Sequence, residues 1–135
     1  MLSVIFFALA GMCNAIMDTL VFHWDTSIFK GSKYEWWANP EISYRNKWKN
    51  NSNSEDGEKF PGSSTIFVWT TDLWHFAQSF MISFFVLGAL SYDGITELTD
   101  INWVNILIDF ILLKLSFSLT FELFWSKLLK KKIDK

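Results

Sequence analysis

The sequence predicts an all-α membrane protein: three transmembrane helices, with an interfacial loop and a short amphipathic helix between the first and second. Three observations predict it. The chain has 135 residues, of which 50% are hydrophobic and 19% aromatic, more apolar surface than so small a soluble domain can bury. Three apolar stretches approach the length of about 20 residues that crosses a hydrocarbon core. Lysine and arginine are absent or abundant in alternate segments, as the positive-inside rule requires of a multi-pass protein. The whole of 1–135 reads as one transmembrane domain, with spans at about 2–23, 66–90 and 103–125.

The first span, Leu2 to His23, has no basic residue before its apolar run. A secretory signal needs one, so an uncleaved first helix is expected. Cys13 lies inside this run as the single cysteine, which excludes an internal disulfide and a CxxC site. Trp24 closes the span at headgroup level.

The loop 24–65 carries Lys30, Lys33, Arg45, Lys47, Lys49 and Lys59. Its first half sets tryptophans and tyrosines among these bases, a mixture suited to the membrane interface. Asn39, Pro40 and Glu41 form a helix start, so a surface helix is expected over Pro40 to Lys49, with Glu41 and Arg45 as an i,i+4 pair. Arg45, Lys47, Lys49, Trp36, Trp37 and Trp48 are the candidates for contact with a lipid headgroup. Interfacial anchoring is the plainer use of the same residues. Asn50 to Ser64 is polar, contains Gly and Pro, and is expected to be an exposed, mobile connection.

The second span, Ile66 to Leu90, places Asp72, His75, Ser79 and Ser83 on one stripe at ~100° per residue. The connection from Ser91 to Asn102 has no lysine or arginine. The third span, Trp103 to Trp125, carries the row Lys114, Ser118, Glu122, and the tail 126–135 holds five lysines. The charge pattern therefore expects the amino terminus outside, with the loop and carboxyl tail in the cytoplasm.

Ionisable side chains inside a bilayer are almost always turned inward and paired. Asn14, Asp18, Asp72, His75, Ser79, Lys114, Ser118 and Glu122 are accordingly expected to share one buried polar centre, with Lys114 paired to Asp18, Glu122 or Asn14. Asn105 and Asp109 fall on another face, which suggests contact with a second copy or a partner subunit. Asp18, His23, Asp72, His75 and Glu122 are the residues able to hold one divalent metal ion. With no HExxH and only two histidines, direct hydrogen bonding between helices is the simpler role.

The run WWANPEISYRNKWKN, followed by STIFVWTTDLWHF, resembles tryptophan-rich loops and a TD-x-WH segment in small integral membrane proteins of Bacteroidota. The resemblance spans roughly Asp18 to Phe76 and implies membrane residence, with no activity or site residue attached to it.

Three functions fit these residues. The leading one is a polar centre at the cytoplasmic leaflet that binds a lipid headgroup or a partner membrane subunit. The others are a metal-dependent enzyme acting on a lipid or isoprenoid, and an accessory subunit of a membrane complex. Net charge is −2 and no nucleic-acid motif is present, so nucleic acid is not an expected partner. A glycine-rich phosphate loop, a GxSxG motif, an internal repeat and inverted halves are all missing, which argues against P-loop chemistry, serine hydrolysis and a repeat-built transporter.

Overall fold

The computed structural model describes residues 1–92 and 103–131. Three helices in it are long and apolar enough to cross a membrane: α1 (Leu2–Phe22), α4 (Leu73–Leu90) and the run Trp103–Leu128. Two short helices, α2 (Glu35–Ala38) and α3 (Pro40–Ser43), lie in the loop after α1. The last span consists of α5 (Trp103–Leu123) and a π-helical turn over Phe124–Leu128. The chain is thus a multi-pass membrane protein with the all-α fold its sequence predicts. The connection 93–102 and the tail after residue 131 lie outside the described residues.

α1 is the central helix. It packs along both α4 and α5, which touch each other little. Lipid tails are as apolar as leucine side chains, so helices in a bilayer associate through close packing and hydrogen bonds. Gly11 supplies the closest approach: a Cβ built there would lie 2.2 Å from the backbone oxygen of Phe117. Ser116 donates its hydroxyl to the Val4 carbonyl at 2.7 Å and fixes the rotation of α5 on α1. One turn before Gly11 on α1, the Phe7 ring lies against Gly88 of α4. Aromatic rings one helical turn apart, Phe76, Phe80 and Phe84, run along α4, with Phe6 of α1 beside the last.

The second helix starts at Leu73, seven residues after the expected Ile66, because Asp72 is its N-cap rather than a member of its face. Asp72 is extended (φ −153°, ψ 159°) and its side chain accepts the backbone N–H of His75. Ahead of it, the hydroxyls of Thr70 and Thr71 bond back to the carbonyls of Phe67 and Val68 in a 3₁₀ turn. Threonine and aspartate side chains that compete for backbone groups favour this arrangement over continued helix.

The expected surface helix over Pro40 to Lys49 is also shorter. Asn39 caps it, accepting from the Glu41 N–H at 3.0 Å, but after Ser43 the chain tightens into a 3₁₀ turn over Tyr44–Lys47. Buried Asn46 explains the change: its amide donates to the carbonyls of Trp36 and Thr71, each at 3.0 Å. This ties the loop to the start of α4. Arg45 donates to the Tyr44 hydroxyl at 3.0 Å in place of pairing with Glu41.

The stretch 50–64, expected to be a mobile connection, is folded back on the loop. Lys59 N–H donates to Lys47 O (2.9 Å), and Lys49 N–H to Gly57 O (3.1 Å). The Ser63 hydroxyl, fully buried, reaches Lys47 O at 2.7 Å. Glu58 accepts the backbone N–H groups of Gly62 and Ser64 and the Ser64 hydroxyl, which holds its carboxyl below the ordinary glutamate range. The chain after the last span joins the same assembly. Ile28 N–H bonds to Leu129 O (2.9 Å), and Lys131 N–H to Thr26 O (2.8 Å).

Gly11→Ala should force α1 and α5 apart, because the atom in the way is backbone. A loss of about 1–3 kcal/mol is expected for such overpacking, read as a lower thermal midpoint in mild detergent. Gly88→Ala meets the movable ring of Phe7 and should lose less; equal losses would count against Gly11 as the closest packing point.

Candidate functional site

The expected polar centre divides into separate parts. On α5, Lys114, Ser118 and Glu122 are all exposed, and none of them lines the groove that holds Asn14 and Asp18. The Gly11 contact and the Ser116 bond cause this, since they commit the opposite face of α5 to the interior. Asp109 is also reversed from expectation: it is 1% exposed and accepts the Tyr92 hydroxyl at 2.7 Å, holding the end of α4 within the chain. That bond pushes the Tyr92 phenol above its ordinary value.

What remains gathered is a groove between α1, α3 and the start of α4. Its upper part, about 200 Å³, is lined by Val21, Pro40, Ser43, Tyr44, Asp72, Trp74 and His75. An adjoining part of about 280 Å³ shares Val21 and Trp74 and continues along Asn14, Met17 and Asp18. The expected residues Asn14, Asp18, Asp72 and His75 are therefore neighbours of one groove. Ser79, one turn below His75, is half-buried on α4 and lines neither part.

His75 is the chemically versatile group. Asp72, 2% exposed, binds it twice: Oδ1 takes the His75 backbone N–H at 2.9 Å, and Oδ2 lies 2.7 Å from ring Nδ1. An ionised carboxylate only accepts, so the ring carries a proton on Nδ1. Nε2 is then the remaining hydrogen-bonding atom, without a partner among the described residues. Trp74 packs edge-on to the ring, with centroids 5.1 Å apart. One carboxylate thus caps the helix and orients the imidazole.

The five residues expected to hold a metal do not converge. Asp72 and His75 form one pair; Asp18 and His23 form another, 3.9 Å apart. His23 also stacks edge-on with Trp125, and Glu122 is exposed on α5. No group of three histidine, cysteine or carboxylate side chains placed to hold a metal occurs among the described residues.

The headgroup candidates are also divided. Arg45, Lys49 and Trp36 are exposed, whereas Lys47 and Trp48 are half-buried, with the ammonium 5.6 Å from the ring centre. Trp37 packs edge-on against Phe76 at 5.5 Å and belongs to the core with Leu20, Ala38 and Leu73. Sequence reasoning missed Val21, Ser43, Tyr44 and Trp74 as groove residues. The signal for Trp74 was its place beside His75 in a capped first turn, and that for Val21 was its place one turn after Asp18 on the same face of α1; Ser43 and Tyr44 come from chain reversal and had none.

No family model, curated protein or solved structure matches the chain.

Because Asp72 has two roles, two substitutions should separate them. Asp72→Asn keeps a capping oxygen and should stay close to wild type in thermal stability, while Asp72→Ala should lose about 1 kcal/mol. Nitrogen-15 NMR of the His75 ring should show the Nδ1–H tautomer in the native protein. A native ring protonated on Nε2 alone would disprove the pairing.

Proposed function

We propose that this protein binds a phosphate-bearing lipid at the leaflet against its folded loop, and that this leaflet is cytoplasmic, with the amino terminus outside. The observation that carries the reading is the groove, a largely apolar channel whose mouth carries the His75 ring and Tyr44. Met17, Val21 and Trp74 suit an acyl chain. At the mouth stand the free Nε2 of His75 and the Tyr44 hydroxyl, which accepts from Arg45 Nε at 3.0 Å. That bond leaves the terminal guanidinium nitrogens of Arg45 available to an anion, and charge-assisted hydrogen bonds to phosphate are among the strong ones. Asp18, at the other end of the groove, repels phosphate there and favours the His75 end.

The orientation rests on the lysines and arginines of the loop and tail and their absence from the connection after α4. Metal-dependent catalysis lacks a supporting observation, since neither His–Asp pair is joined by a third ligand among the described residues.

Two measurements test the reading. In nanodiscs, the protein should retain phosphatidylglycerol in preference to diacylglycerol, and the His75→Ala, Arg45→Ala double variant should weaken that retention about ten-fold. Equal retention of both lipids, or an unaffected double variant, would overturn the site. For orientation, cysteines placed at Ser54 and Ser126 should react with an impermeant thiol reagent only after the membrane is opened, and one at Thr96 in intact cells. Reaction of the Ser54 position from outside would reverse the topology.

A further inference from the structure

Lys114 is the least expected charge in the molecule. It stands eleven residues after Trp103 in a span of 26, so at ~1.5 Å per residue its Cα lies near the middle of the bilayer. Its side chain is exposed, and no hydrogen bond or ion pair holds it among the described residues. It borders an apolar cleft of about 390 Å³, whose other lining residues are Phe7, Phe85, Phe110, Leu113 and Phe117. None of those side chains accepts a hydrogen bond. A lysine near a helix end snorkels to the interface, but one at mid-depth has the whole leaflet above it, and such residues face protein or water.

The helix that carries it is also the least covered. The most apolar stretch of the last span is 6% buried, against 33% for α1. One turn and two turns along the same face stand Ser118 and Glu122, both exposed. A polar row about 12 Å long, on an otherwise apolar face, has the form of a helix-packing seam rather than a pocket for one small molecule.

We propose that α5 docks a transmembrane helix of another protein, which supplies a carboxylate to Lys114 near mid-bilayer. Charge complementarity selects this occupant. Copies inserted with the same topology pair α5 in parallel, which sets Lys114 against Lys114 and Glu122 against Glu122. Asp109, the other carboxylate described on α5, is buried and bonded to Tyr92. A phospholipid phosphate stays at the interface, beyond the reach of a side chain anchored at this depth. A carboxylate on a neighbouring helix meets the ammonium at its own level, where hydrogen bonds between helices stabilise association.

The full-length protein, reconstituted in phosphatidylcholine bilayers, can be tested against synthetic leucine-alanine transmembrane peptides with a central glutamate or a central leucine, association being read by energy transfer. The glutamate peptide should bind about ten-fold more tightly than the leucine peptide. Lys114→Met should abolish that preference with helicity and thermal midpoint unchanged or raised, and Lys114→Glu should favour a peptide with a central lysine. Equal binding of the two peptides, or a preference that survives Lys114→Met, overturns the proposal. Efficient cross-linking of Leu119→Cys chains to one another also overturns it and names a second copy as the occupant.

Discussion

Where α1 and α5 cross, Gly11 has no side chain, and the backbone oxygen of Phe117 occupies the space that one would take. Most of the arrangement depends on that contact. It brings the two helices near enough for Ser116 to reach the Val4 carbonyl, and the two together set the rotation of α5. The rotation then determines what α5 shows to the membrane. With Asp109, Ser116 and Phe117 committed to the inner side, Lys114, Ser118 and Glu122 have only the outer one. Inward turning of ionisable groups is the general tendency in bilayers, and here close backbone packing prevails over it within the single chain.

The loop end is organised by different forces. Between the helices there is no water to expel, so small residues and stacked rings carry the packing. At the loop, polar backbone needs partners, and side chains provide many of them. Asn46 serves two carbonyls that are ten and twenty-five residues away from it in sequence, while Ser63 and Glu58 close the turn beyond. The segment after the last span bonds to the stretch after α1. The loop balances its six basic residues with six acidic ones, and backbone bonds, with the Lys131 ammonium on the Lys30 carbonyl, hold it beside the start of the tail.

Asp72 connects the two regions. As N-cap it ends the 3₁₀ turn and starts α4; as partner of Nδ1 it fixes the imidazole over the groove. Because both bonds come from one buried carboxylate, the direction of His75 is tied to the place where the helix begins. The loop, latched by Asn46 to Thr71, brings Ser43 and Tyr44 to the same point. The groove is therefore a product of the loop fold as much as of the helices.

Length, apolar periodicity and the placement of lysine and arginine were enough to specify three spans, their approximate limits and an all-α architecture, because the bilayer imposes length and composition on any helix that crosses it. Local chemistry was also readable where its partners lie within a few residues, as in the Asn39 cap and the spacing that sets Asp72 and His75 on one side. Tertiary structure alone decided the rotation of each helix. Periodicity shows that Lys114, Ser118 and Glu122 share a face, and equally that Asp109 has another, but it does not say which face meets α1. That choice came from a glycine on one helix and a backbone oxygen on another, 106 residues apart, and spacing within a helix contains no information about contacts between helices.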